Sequence, residues 1–276
     1  MNEQTICLSA FEQYLIREER AAATIRKYLR DARSFESFAA GREWSKDLTL
    51  EWKKTLIGKG LAARSVNSML ASLNAYCRFY GREDCATKYM RLQPSAYCTE
   101  EHELTKKEYF RLLEAAKEKP RLYLLLQTIC STGIRVSELQ YFTVDAVNKG
   151  RVSVRCKSKT RVILLPEKLR RKLAAYAREQ EIEEGVIFRT KGGKPLDRSN
   201  IWSDMKRLCK EAHVDAEKVY PHNLRKLFAR SFYSQEKDIA KLADGLGHSS
   251  INTTRIYIIS TGIEHRRIID KMGLVI

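Results

Sequence analysis

The residues best suited to chemistry gather in the C-terminal part of the chain. In Pro-His-Asn-Leu-Arg, His222 and Arg225 are three apart and share one face of the helix that Pro221 opens. Ile239, Leu242, Ala243 and Leu246 then repeat at helical spacing, Gly245 and Gly247 close that helix, and His248 follows at the turn. Ser249 and Ser250 offer caps to a last short helix that ends at Tyr257. Upstream, Ser131-Thr-Gly-Ile-Arg-Val-Ser-Glu-Leu139 breaks a helix at Gly133 and puts Arg135 at the start of the next. Backbone amides at a helix start favour an anion, and a guanidinium beside them strengthens that site. Spacing alone assigns no reaction. Arg135 and Glu138 read equally as an exposed i,i+3 ion pair, and Tyr257, among Ile256, Ile258 and Ile259, as a packed aromatic.

In this order and spacing the motifs resemble the tyrosine recombinase, or phage integrase, family: Arg135 with Glu138, His222-Asn-Leu-Arg225, Leu246-Gly247-His248, and Tyr257 nine residues after His248. The resemblance implies DNA strand breakage and rejoining. A phenol has a pKa of about 10 and is a poor nucleophile at neutral pH, so the implied roles are cooperative. Tyr257 is the nucleophile, and Arg135 and Arg225 donate paired hydrogen bonds to the phosphate oxygens. His222 takes the phenolic proton, His248 hydrogen-bonds the phosphate and Glu138 orients these groups. A Lys in the turn of a hairpin protonates the leaving 5′-oxygen. That Lys is Lys157 when aligned from the first strand, with Lys159 as the alternative; in either position the plain reading is a charged hairpin tip. The product is a 3′-phosphotyrosine link that conserves the bond for rejoining. Fixed cations meet the charge, so the resemblance implies no metal and no cofactor. Two departures from the family pattern are a shorter hairpin turn and Lys226 where the family often has His.

Composition agrees with a polyanionic partner. The 276 residues carry 51 Lys and Arg against 34 Asp and Glu, a net charge of +17. Such an excess suits a phosphate backbone, although by itself it also describes an ordinary basic protein. No apolar run reaches membrane length and the first twenty residues lack a signal-peptide core, so a soluble, cytoplasmic protein that meets no membrane is expected. The seven Cys are scattered, without a Cys-x-x-Cys, and read as reduced thiols.

The elements that must position these groups divide into two sets, giving a mostly α fold with a small β-hairpin, in the α+β class. Apolar periodicity predicts four helices before residue 80, a small all-α bundle. Its polar faces carry Arg26, Lys27, Arg30, Arg64, Asn67 and Asn74, and any one of them alone reads as a solvated face; the resemblance makes Thr24, Arg26, Lys27, Arg64, Ser65 and Asn67 the expected DNA contacts. With the family resemblance, Thr24-Ile-Arg-Lys-Tyr28 and Ala63-Arg-Ser-Val-Asn67 look like its core-binding, SAM-like domain, which contacts DNA; Lys159 is a further expected contact. The expected organisation is a DNA-binding domain over 1–93, a linker over 94–103 around Pro94 and Ser95, and a catalytic domain over 104–276. Within the latter, Thr105 and Glu108 predict a capping box, Pro120 opens a helix, and Arg151–Arg155 and Val162–Leu165 form a hairpin around a Cys156–Arg161 turn. Helices are expected over 167–180 and 198–211, with a strand at Val186–Phe188 between them. The tail from 262 to 276 is read as a docking helix that joins copies of the chain into a tetramer on paired double-stranded DNA sites. A DNA-binding regulator without catalysis competes with this reading, but gives no reason for Arg135, Arg225 and Tyr257 to occur together.

Overall fold

The computed structural model describes residues 3–92, 103–156, 159–190, 192–259, 266 and 269–272, with side chains from residue 8 onward except 156 and 159. Two compact units divide the chain, Met1–Pro94 and Ser95–Ile276. The expected 94–103 linker lies, apart from Glu103, outside the described residues, as does most of the tail from 262 to 276.

The first unit holds α1 (Glu3–Arg17), α2 (Ala22–Ala39), α3 (Lys46–Gly58) and α4 (Ala63–Phe79). Their apolar stripes bury Phe11, Phe35, Trp52 and Tyr76 in one core. Partner pairs at a nearly constant offset make α2 and α4 run parallel: Lys27 Nζ donates to the Ser68 carbonyl at 2.5 Å, Ser72 Oγ to Asp31 at 2.8 Å, and Tyr76 Oη to Glu36 at 2.9 Å. Asp31 is buried, and Lys27 Nζ meets its carboxylate at 2.7 Å. On α4, Asn67 and Asn74 act as backbone clamps. Asn67 bonds both N–H and C=O of Met90, and Asn74 both of Thr87, so the segment after the helix is pinned along it.

The second unit is built on α5 (Lys106–Ala115), α6 (Pro120–Thr132), α7 (Val144–Asn148), α8 (Glu167–Glu179), α9 (Arg198–Ala212), α10 (Pro221–Glu236), α11 (Ile239–Leu246) and α12 (Ile251–Ile258). A 3-10 segment, Val136–Tyr141, follows α6. Thr105 and Glu108 form the expected capping box on α5. Gly133 ends α6 in the left-handed region at φ 63°, where a Cβ would lie 2.3 Å from the Phe228 ring. The sheet, among the described residues, is one antiparallel pair, β1 (Arg151–Cys156) and β2 (Lys159–Leu164). The hairpin is tighter than expected: Thr160 and Arg161 belong to β2 rather than to the turn, and Cys156 pairs with Lys159. The Val186–Phe188 strand does not form. Val186 makes one isolated bridge with Thr143, while Ile187 and Phe188 are buried as core anchors.

Candidate active site

Three helix ends and the 3-10 segment converge on one cleft. Pro221, at the first position of α10, puts His222 in its first turn and Arg225 one turn further, facing α6. Arg225 is only 1% exposed, a cost met by bonds to orphan carbonyls at helix ends. Its Nη1 donates to the Gly133 carbonyl at the end of α6, and its Nη2 to the Leu246 carbonyl at the end of α11, at 2.6 Å. Its Nε is buried and makes no aligned hydrogen bond, while the guanidinium lies within hydrogen-bonding reach of the Tyr257 side chain. Burial, and then the Arg135 charge, bring its pKa down to about 10.

Arg135 precedes the 3-10 segment. Its backbone N–H donates to Glu138 Oε2 at 2.7 Å and its Nη1 to Oε1 at 3.1 Å, while Nη2 reaches the Gly247 carbonyl at 3.3 Å. The i,i+3 pair thus forms, but on a buried carboxylate rather than an exposed face, because a third group completes it. Arg161, on β2, donates to Glu138 Oε2 at 2.7 Å and to the Leu246 carbonyl at 2.5 Å. Leu246 O therefore serves Arg225 and Arg161 together. Gly247 makes this approach available: a Cβ there would lie 2.2 Å from Arg161 Nη1.

Tyr257, on α12, is 8% exposed and packs with Leu242, Leu246 and Ala229. Its ring centroid is 5.0 Å from that of His222 and 4.9 Å from that of His248, and Arg225 Cζ lies 5.9 Å from it. His248 Nε2 is 3.0 Å from Arg225 Nη2 and its Nδ1 is 2.9 Å from Thr254 Oγ1. Both imidazoles sit among cations. Burial first, then Arg225 and Arg135, push His248 down to about 4. His222 opens on one side to solvent, yet desolvation by the protein behind it leads the causes that lower its pKa, followed by Lys226 and Arg225. Beside these groups opens a cleft of about 610 Å³, walled by Arg135, His222, Arg225, Arg198, Trp202 and Tyr220.

Six of the expected residues, Arg135, Glu138, His222, Arg225, His248 and Tyr257, thus come together in one unit of one chain. Lys157 lies outside the described residues, and Lys159 pairs with Cys156 at the hairpin tip. In the first unit, Thr24, Arg26, Arg64 and Ser65 lie near the starts of α2 and α4, at one end of the parallel pair, while Lys27 and Asn67 have intramolecular partners. Three residues of the cleft and its frame escaped the sequence reading: Arg161, Thr254 and Arg198. A signal existed for the first two. Arg161 faces inward with Ile163 while Val162 and Leu164 are exposed, so it is the charged member of a buried strand face. Thr254 shares a face with Tyr257 at i,i+3.

Comparison with known proteins gives one answer. Residues 102–262 match the model of the phage integrase family, and residues 8–84 that of the phage integrase N-terminal SAM-like domain. A protein named tyrosine recombinase XerA from Thermococcus kodakarensis is 32% identical over 97% of this chain and 95% of its own length. Its namesake from Pyrococcus furiosus is 30% identical over 99% and 97%. A crystal structure of a lambda integrase(75-356) dimer bound to a COC′ core site matches with a TM-score of 0.75 over 94% of this chain and 96% of that one. Its 19% identity makes this a likeness of fold.

Proposed function

Because this chain belongs to the phage integrase family of tyrosine recombinases, we propose that it is a site-specific recombinase that cuts and rejoins double-stranded DNA through a 3′-phosphotyrosine link on Tyr257. The observation that carries the assignment is the placement of the Tyr257 ring between His222 and His248 and beside Arg225, in its own chain. A phenol placed only for packing needs none of these neighbours. Tyr257 Oη attacks the scissile phosphorus while its proton passes to His222. Arg135 and Arg225, which both line the cleft, hold the non-bridging oxygens. His248 bonds the same phosphate and Glu138 keeps Arg135 aimed. The bond to the 5′-oxygen breaks and Lys157 supplies its proton. Attack by a 5′-hydroxyl of another strand reverses these steps and frees the tyrosine, giving integration, excision or resolution.

The 1–93 domain supplies DNA contacts, the 94–103 linker joins it to the catalytic domain of 104–276, and the protein works on DNA in the cytoplasm as a homo-tetramer bridged by its 262–276 tail. Among the described residues no helix is long and apolar enough to cross a membrane. Parallel α2 and α4 support the first contact. Their N-caps, Ala21 and Ala62, make no side-chain cap bond, so uncapped amides lie at one end beside Thr24, Arg26, Arg64 and Ser65. That arrangement suits phosphate oxygens.

Tyr257→Phe tests the assignment on an SDS gel with a nicked, suicide-type DNA site. The variant should fold and bind DNA as the unmodified protein does and form no covalent adduct. A covalent band that survives would overturn the assignment and turn attention to Tyr233.

A further inference from the structure

We propose that Thr254 is a positioning residue: its hydroxyl fixes His248 in the Nδ1–H tautomer, leaving Nε2 as the nitrogen that exchanges protons and hydrogen bonds in the active site. This deepens the recombinase reading above and rests on it for the role of His248. The geometry follows from donor and acceptor types. A guanidinium carries only donors. His248 Nε2, 3.0 Å from Arg225 Nη2, therefore presents its lone pair. The ring proton of the neutral imidazole must then sit on Nδ1, and it points at Thr254 Oγ1, 2.9 Å away. Thr254 is fully buried, so no water replaces its hydroxyl. α12 thus carries both the ring of Tyr257 and the hydroxyl that orders the imidazole beside it, one turn apart.

The arrangement has a consequence for the reaction. In the DNA-free state Nε2 accepts from Arg225 and helps to aim it. To donate to a phosphate, Nε2 must gain a proton from solvent while Nδ1–H stays on Thr254. The groups that face the ring are Arg225 and His222 from α10, Arg135 ahead of the 3-10 segment, Arg161 from β2 and Tyr257 from α12. All but His222 and Tyr257 are fixed cations, which favour the neutral ring until an anion arrives. Without Thr254 the single ring proton is free to move to Nε2 before a phosphate is there to accept it, where it meets the Arg225 N–H head-on, and neither group is aimed when DNA binds.

The test uses the full-length protein. In 15N-imidazole NMR without DNA, His248 should show the Nδ1–H pattern in the unmodified protein and in Thr254→Ser, and an Nε2–H or mixed pattern in Thr254→Val. On a nicked suicide site, Thr254→Val should form the covalent adduct about 10-fold more slowly, equal to the loss of one hydrogen bond. Its DNA affinity should be unchanged and Thr254→Ser should stay within about 3-fold of the unmodified rate. An Nε2–H tautomer in the unmodified protein overturns the proposal, and this measurement stands even if Thr254→Val does not fold. Equal slowing of Ser and Val variants overturns it too, since packing rather than the hydroxyl would be responsible. If adduct also forms with Tyr257→Phe, the recombinase assignment of Tyr257 fails, while the tautomer result is unaffected.

Discussion

Gly247→Ala tests whether Arg161 is held by the space that a glycine leaves. Gly247 adopts φ 64°, and a Cβ there would stand 2.2 Å from Arg161 Nη1 and 2.9 Å from its Cδ. Left-handed backbone costs an L-residue about 1–2 kcal/mol. The guanidinium must also swing away from the Leu246 carbonyl, and a hydrogen bond from a charged group contributes about 1.5–3 kcal/mol. The loss should therefore total about 2.5–5 kcal/mol in the unfolding transition of the second unit, read by calorimetry, with the first unit unchanged. Arg161→Ala alone should cost about 3–5 kcal/mol, because it strips Glu138 of one buried partner. The double variant separates the terms: with no guanidinium to displace, Gly247→Ala should add only its backbone strain, about 1–2 kcal/mol. Full additivity of the two single costs would refute the claim that the glycine exists for Arg161.

Two further outcomes are expected. His248, neutral in the fold with a pKa of about 4, against about 6.5 unfolded, favours the native state fully above pH 6.5; that contribution should fade as the pH falls from 6.5 towards 4, with His222 acting in the same direction. An NMR titration showing the His248 imidazole protonated near pH 6.5 would contradict it. In the first unit, Lys27→Met should lower stability by about 1–3 kcal/mol, since buried Asp31 keeps Ser72 and Arg30 but loses its closest cation. A variant as stable as the parent by urea titration, with weaker DNA binding only, would make Lys27 a DNA contact and not a clasp.

What was legible in the sequence follows the range of the forces involved. Local signals set the helix ends: Thr105 with Glu108, Pro120 and Pro221 each begin a helix where expected. The site residues were legible as motifs, and their convergence follows from the positions of those ends. What the sequence did not show was tertiary. Asn67 and Lys27 look like surface polar residues in a helical pattern, but one also clamps Met90, 23 residues on, and the other reaches the Ser68 carbonyl, 41 residues on. The strand expected at Val186–Phe188 has the right residues but no continuous partner, so its apolar side chains enter the core without a ladder. Arg161 stayed hidden because the hairpin register, which sends it inward, depends on how tight the turn is.

The same long-range pairings explain how the fold accommodates so much positive charge at the site. Arg135 and Arg161 share the buried Glu138 carboxylate, and the three arginines together bond the carbonyl oxygens of Gly133, Leu246 and Gly247, so three cations face one formal anion and helix-end dipoles. Burial first, and then this crowding of cations, lowers the pKa of Arg225, His222 and His248. In the proposed reaction a phosphate entering the cleft supplies the missing charge. Its field acts opposite to that of the arginines, raising the proton affinity of both imidazoles when a proton must leave Tyr257 and another must sit on Nε2 of His248. The neutral histidines thus follow from burial beside fixed cations. The cost of crowding the cations is borne by the fold, through Glu138 and the carbonyls of Gly133, Leu246 and Gly247, before DNA arrives.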